Sequence, residues 1–267
     1  MKRVLMILAI SLMASANSAM AWSKFGHEVI IELAKRHISE KTKANIAKYM
    51  PNDITDDAIY MDDHRNDKEL AYSTSWHGYS VDDKFEYDMN PRLAKGDVIH
   101  AMRVADHNLS KLERLTDSAV VMNIRWLIHF AGDMHCPSHS YLPGPRLTWA
   151  CECRGVKFDS FHTAWDEMPS LVHPNKSCVE VAAEIDTASK REIKQIQSGD
   201  ILEWAKEIAI NNKDIFKWNK PYTVVLDPKT PDYHRDHINL QLRHAGYRLA
   251  YLLNRYFGEY LNSNYSN

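Results

Sequence analysis

Two short segments carry one chemical pattern. His129-Phe130-Ala131-Gly132-Asp133 and His162-Thr163-Ala164-Trp165-Asp166 each place an imidazole and a carboxylate four residues apart. On an α-helix that spacing puts both side chains on one face, a turn apart, where they can converge on one ion. Imidazole and carboxylate ligate divalent transition metals, and His is also the usual acid–base side chain near neutral pH. After Asp133 the chain runs Met134-His135-Cys136-Pro137-Ser138-His139. Pro137 breaks a helix there and lets His139 fold back toward the same site. His/Asp pairs on helices are commonly surface ion pairs, but both of these sit among apolar residues, which favours a buried, satisfied polar site.

Helices must position these pairs. Apolar residues recur at helical spacing through Val29, Ile30, Leu33 and Ala34, in a helix beginning near Lys24, and through Val98, Ala101, Ala105, Leu109 and Leu112. Ile124, Leu127, Ile128 and Ala131 mark a third helix that ends before Pro137. Ile201 to Phe216 marks another, and Ile238, Leu242, Ala245, Leu249 and Leu252 form a long C-terminal one. Strand-like alternation is scarce, with a small hairpin expected within Trp149 to Phe158. Pro143-Gly144-Pro145 and Pro228 to Pro231 read as loops. No linker or repeat divides the chain, so one mainly α domain is expected.

Composition narrows the partners. The chain has 267 residues, 45% of them apolar and 25% charged, with a formal net charge of −2. That balance supplies no basic footprint for gripping duplex DNA. The 14 His are twice the count of Phe. Met1-Lys2-Arg3, the apolar run Val4 to Met13 and the small residues ending in Ala19-Met20-Ala21 form a secretory signal pattern. The apolar run is too short to span a bilayer. Residues 1–21 are therefore expected to be removed, leaving 22–267 as an exported, periplasmic or secreted domain without a membrane anchor or an obligate protein partner. Cleavage would expose a free amine at Trp22, five residues before His27. An amine and its own carbonyl can chelate a metal, and a terminal amine deprotonates readily near neutrality. Export permits disulfides. Cys151 and Cys153 are too close to bridge each other easily, so each would seek Cys136 or Cys178. The pairing stays open, as do free thiols.

The ordered set Trp22, His27, Asp62, His77, His129, Asp133, His139, His162 and Asp166 resembles the ligand set of the secreted S1/P1 zinc nucleases, within the phospholipase C/P1 nuclease superfamily. The strongest pieces are Trp22 followed by His27, the segment His129 to His139, and His162 with Trp165-Asp166. Trp204-Ala205-Lys206-Glu207 and the segment Gln241 to Asn254 continue the likeness. The resemblance implies a helical fold with a trinuclear zinc cleft. Asp62, His77, His129 and Asp133 would hold one Zn²⁺. Trp22, His27 and Asp133 would hold a second, with Asp133 bridging the pair. His139, His162 and Asp166 would hold the third. It further implies hydrolysis of single-stranded RNA and DNA to 5′-phosphate products, with 3′-nucleotides as further substrates. Asp62 and Asp133 would be catalytic as ligands of the close metal pair, which orients water for in-line attack on phosphorus. Arg65 would meet charge developing on the phosphate. Three divalent ions also give a near-neutral protein a local positive field for an anionic polymer.

Departures fall on base recognition. Tyr60-Met61-Asp62 stands where the family has Trp-Ala-Asp, and Cys136 stands where it has Gln. The family's Gly-rich loop before the last His is replaced by Trp149 to Phe158. After His77, the segment Gly78-Tyr79-Ser80-Val81-Asp82 suggests a small insertion, with Tyr79 and Asp82 or Asp83 as displaced substrate-binding residues. His135 matches no ligand position and is read as a surface residue or as a support to the ligands. Two rivals remain. A zinc-dependent phospholipase C would have a longer gap between its terminal Trp and first His, and Glu in place of Asp166. A non-catalytic exported metal-binding relative would not require Arg65.

Overall fold

The computed structural model describes residues 22–89, 95–213, 215 and 220–258. The expected leader, residues 1–21, lies outside them, as do residues 259–267.

α1 (Lys24–His37) buries Val29, Ile30, Leu33 and Ala34, the apolar face its spacing predicts. It lies along α11 (Thr230–Phe257), which buries Ile238, Leu242, Ala245, Leu249 and Leu252. Gly246 makes this approach possible, because a Cβ there would stand 2.7 Å from Leu33 Cδ2. Pro231 sits in the first turn of α11, where its missing N–H costs nothing. The expected loop at 228–231 therefore gives way to a helix start.

α2 (Glu40–Ala47), the short α3 (Tyr60–Asp63) and a 3₁₀ turn at Ile54–Asp57 lead toward the middle of the molecule. α4 (Val98–Leu109) starts at Asp97, whose side chain accepts from His100 N. α5 (Asp117–His135) starts at Thr116, which accepts from Ala119 N, and from Trp126 to His135 every residue is buried. Cys136 caps its C-terminus, and a 3₁₀ turn at Pro137–His139 follows. α6 (Phe161–Asp166) starts at Ser160, which accepts from Thr163 N and so places His162 in the first turn. α7 (Met168–Val172), α8 (Cys178–Ile185), α9 (Lys190–Ile196) and α10 (Ile201–Asn212) complete the helices. Capping boxes at Ser177/Glu180, Ser189/Glu192 and Asp200/Glu203 start the last three. Phe216, expected to end the helix from Ile201, lies outside the described residues.

Sheet is minor. β1 (Tyr79–Val81) pairs antiparallel with β2 (Tyr87–Asp88) and parallel with β3 (Ser140–Tyr141), in register Tyr79↔Ser140. This parallel pair sets His77 and His139 side by side. β4 (Cys151–Cys153) and β5 (Val156–Phe158) form the expected hairpin, with Cys151 opposite Phe158. Glu152 ties it to the segment before α11 through Glu152 N to Val224 O at 2.7 Å and Leu226 N to Glu152 O at 2.9 Å.

All four cysteines are free thiols, so none of the contemplated disulfides forms. Their sulfurs face different partners. Cys136 Sγ faces Ser138 and Asp166, Cys151 Sγ the Ser160 carbonyl, and Cys153 Sγ the Asp227 carbonyl. Among the described residues no helix is long and apolar enough to cross a membrane.

Candidate metal centre

Asp133 is the hub of the site. It lies wholly buried near the end of α5, and its two oxygens face different rings. Oδ1 is 3.3 Å from His27 Nε2 of α1. Oδ2 is 2.9 Å from His77 Nδ1 and 3.4 Å from His129 Nε2. Asp62, carried by α3, adds Oδ1 at 3.5 Å from His77 Nδ1 and Oδ2 at 3.6 Å from His129 Nε2. The His27 and His129 rings stack 4.4 Å apart. His27 reaches this position only because α5 carries glycine opposite it: a Cβ on Gly132 would lie 2.6 Å from His27 Nδ1.

A second cluster adjoins the first. His139 Nε2 is 2.9 Å from His162 Nε2 and 3.8 Å from Asp166 Oδ1, and His162 Nε2 is 3.6 Å from Asp166 Oδ2. Ser138 Oγ donates to Asp166 Oδ1 at 2.7 Å. The N-terminal segment is tied in as well, because Ser23 N donates to the Asp166 carbonyl at 2.9 Å. The Trp22 indole is buried over Gly26, whose Cβ would come within 2.8 Å of Trp22 Cβ.

Tautomers follow from the carbonyl partners, which can only accept. His129 Nδ1–H donates to Ala58 O at 3.0 Å, and His139 Nδ1–H donates to the His77 carbonyl. Each ring therefore turns Nε2 toward the carboxylates, the nitrogen that a metal-ligating histidine held by a backbone carbonyl offers to its ion. Protonation of the side chains follows their burial and neighbours. Burial opposes ionisation of Asp133, but the His129 ring, with His27 and His77 beside it, holds its carboxyl well below the usual range. Burial works against a proton on His129 too, yet Asp133 and Asp62 raise it to about 9. Burial and the neighbouring His129 keep His27 low. In the second cluster burial lowers His139, and burial with His139 lowers His162 well below its ordinary value. Burial pushes Asp166 well up against the hydrogen bonds from Ser138 and Cys136.

Several buried polar atoms at this centre lack a hydrogen-bond partner: both nitrogens of His27, both oxygens of Asp62, His77 Nε2, Asp133 Oδ1 and Asp166 Oδ2. Such atoms are expensive to bury unless something else compensates them, and a cation among imidazoles and carboxylates does so. Three donor groups could each hold an ion: His27, His129 and Asp133; Asp62, His77 and His129; and Cys136, His139 and Asp166. Within each group the donor atoms lie within 4.8 Å of one another. The residues therefore fit a multinuclear metal site.

Arg65 stands at the edge of this centre, Nη1 3.7 Å from Asp62 Oδ1, and Nη2 donates to Thr74 O at 3.4 Å. Tyr79 does not take the expected base-binding position. It is wholly buried in β1, and its hydroxyl donates to the Ala205 carbonyl at 2.9 Å, leaving no ring face for a base. Asp82 Oδ1 accepts from Lys84 N and Glu86 N at 2.9 Å each, so this oxygen shapes the β1–β2 turn. His135 is no surface residue. It is buried, donates from Nδ1 to Ala131 O at 2.7 Å and accepts at Nε2 from Arg248 Nη1 at 3.0 Å. Arg248 is paired in turn with Glu207 at 2.6 Å.

Two neighbours escaped the sequence reading. Ser138 orients Asp166, and its only signal was its place between Cys136 and His139. Tyr141, two residues past His139, is 45% exposed, and its ring lies against Gly78. Burial raises its hydroxyl first, then Asp166, Asp133 and Cys136, while Arg65 lowers it, so the hydroxyl lies in the field of the centre. A groove of about 430 Å³ walled by Lys35, Ile46, Met50 and Val179 shares none of the residues of the centre. Its Lys35 is paired with Glu32 and Asp53.

Fold and site together define a mainly helical protein built around a buried cluster of His and Asp side chains that could hold metal ions. The sequence model of the S1/P1 nuclease family matches residues 22–258, and the chain belongs to that family. It is thus a nuclease-type hydrolase by family, and the helical fold agrees. No curated protein matches the chain.

Proposed function

We propose that this protein is an exported zinc-dependent phosphodiesterase that cleaves single-stranded RNA and DNA to 5′-phosphate products and also acts on 3′-nucleotides. The observation that carries the reading is Asp133, whose two oxygens face His27 on one side and His77 and His129 on the other. A carboxylate so placed suits a bridge between two ions. In this reading Asp62, His77, His129 and Asp133 hold one zinc, Trp22, His27 and Asp133 a second, and His139, His162 and Asp166 a third.

Zinc bound there supplies positive charge and Lewis acidity at the scissile phosphate. The protein's own residues supply position. Ala58 and His77 fix the His129 and His139 rings by their carbonyls, Ser138 fixes Asp166, and Arg65 meets the phosphate charge from the edge of the site. The Trp22 amine and carbonyl act as ligands once residues 1–21 are removed, and the hydrogen bond from Ser23 N to Asp166 O supports that placement. A single strand suits the site better than a duplex, because affinity then rests on local charge and base stacking.

The test is metal analysis of the chain beginning at Trp22, with assays on single-stranded DNA, RNA, 3′-AMP and phosphatidylcholine. Three zinc per chain and turnover of the first three substrates are expected. Turnover of the lipid alone makes the protein a phospholipase C, and zinc without turnover makes it a binding protein. Retaining Ala21 should lower zinc content by one ion and abolish activity. Full zinc and activity in that variant would remove Trp22 from the ligand set.

A further inference from the structure

Two kinds of donor surround Asp166. The imidazoles of His139 and His162 are one kind. The other is Cys136, a fully buried thiol whose Sγ is 3.6 Å from Asp166 Oδ1 and 3.0 Å from Ser138 Oγ. The backbone aims this sulfur. Cys136 caps α5, its N–H donates to Asp133 O at 3.0 Å and Gly132 O at 3.1 Å, and Pro137 follows. The position of the thiol is thereby set by the same turn that returns His139 to the site.

Two roles are open to such a thiol, a hydrogen bond to Asp166 or a bond to the ion. In the first it donates to Asp166 Oδ1 beside Ser138 Oγ, which is 2.7 Å from the same oxygen. Asp166 Oδ2, meanwhile, is buried and has no donor. Distances fit the second role as well, and the undonated Oδ2 favours it. In a tetrahedral zinc site, bonds of about 2.3 Å to sulfur and 2.0 Å to oxygen put those two atoms about 3.5 Å apart. The observed separation is 3.6 Å, and the donor atoms of Cys136, His139 and Asp166 lie within 4.8 Å of one another.

We propose that Cys136 supplies a thiolate to the ion held by His139, His162 and Asp166. The proposal rests on the reading of this cluster as a metal centre. The thiol proton leaves to solvent as the ion binds. Four protein donors of S, N, N and O type make a closed tetrahedral site of the structural kind. This ion would then tie the end of α5 to α6 through Cys136 and Asp166. A soft donor also makes this one position selective for zinc or cadmium over magnesium.

The experiment loads the chain beginning at Trp22 with Co²⁺ and records its absorption spectrum. A sulfur-to-cobalt charge-transfer band is expected in the unaltered protein, lost in Cys136→Ser and kept in Cys151→Ser and Cys178→Ser. X-ray absorption of the zinc-loaded protein should show one sulfur scatterer per chain, a readout that does not depend on any variant folding. Cobalt uptake without the band, or with no sulfur scatterer, overturns the thiolate while leaving the metal centre standing. A band that survives Cys136→Ser overturns the assignment to Cys136. Failure to take up any metal overturns both.

Discussion

Gly132 and His27 occupy one place between them: the ring of His27 stands where a side chain at position 132 would be, 2.6 Å from its Cβ. The candidate metal centre therefore depends on an absent side chain in the last turn of α5. Glycine there lowers helix propensity by about 1 kcal/mol relative to alanine, so its presence needs a packing reason, and His27 is that reason.

Gly132→Ala is accordingly expected to improve the local helix propensity of α5 yet displace His27 from Asp133. Metal affinity at the His27 side should fall about 10–100-fold, the range seen when a ligand loses its support. Zinc titration against a competing chelator, with circular dichroism to show that the helices persist, checks this. Unchanged affinity would mean that His27 does not ligate.

In the proposed function Arg65 meets charge on the phosphate, while its Nη1 also stands 3.7 Å from Asp62 Oδ1. Arg65→Ala should lower kcat about 10²–10³-fold, as removal of one charge-stabilising donor does, while zinc content stays constant. Arg65→Lys should recover part of the loss, since it keeps the charge without the forked geometry. A parallel fall in zinc content would assign Arg65 to the support of Asp62 instead.

His234 gives the fold a pH dependence of known sign. It is 4% exposed and packs edge-on against Trp165, with ring centroids 4.7 Å apart. Burial first, then His237, lowers it to about 4. Between its unfolded value of 6.5 and 4 the unfolded chain binds this proton more readily, so stability falls as pH falls through that window. The loss is on the order of 1–3 kcal/mol, allowing for solvent screening. Urea midpoints at pH 7 and pH 5, taken in chelator so that metal release does not enter, should differ less in His234→Gln than in the parent. An equal pH difference in both proteins would exclude His234 as the cause.

Gly246→Ala tests the packing of α1 on α11. A Cβ 2.7 Å from Leu33 Cδ2 must push the helices apart or force Leu33 off its rotamer. Overpacking of this kind costs about 1–3 kcal/mol, readable in the urea midpoint at constant slope. Leu33→Ala in the same chain should restore part of the loss by vacating the space. If the single and double variants match the parent, the two helices are less closely packed than the structure shows.

Much of the fold was legible because its signals are local. Apolar spacing at Val29 to Ala34, Val98 to Leu109 and Ile238 to Leu252 reports the buried face of a helix, and each of these helices forms. Pro231 misled because proline reads as a breaker unless the start of the helix is known, and here it opens one. The paired His and Asp residues were visible for the same local reason, since a four-residue spacing on a helix needs no tertiary knowledge. Tyr79 was misread because an aromatic after a ligand histidine is equally suited to a base platform or to a core strand. Pairing of β1 with β2 and β3 decides for the core.

Residue types and spacing alone determined that imidazoles and carboxylates would share helix faces, and that an apolar helical body would carry them. Only the tertiary structure decided which of them meet. Asp133 faces His27 and His77 from distant parts of the chain because α1 lies against α5 and because β1 runs beside β3. It also decided what surrounds them: Gly132 beneath His27, Ser138 and Cys136 on Asp166, and Arg248 on His135. The physical reason is range. Helix periodicity is set by neighbours three or four residues away, whereas a ligand cluster is set by contacts across the whole chain, which no local pattern records.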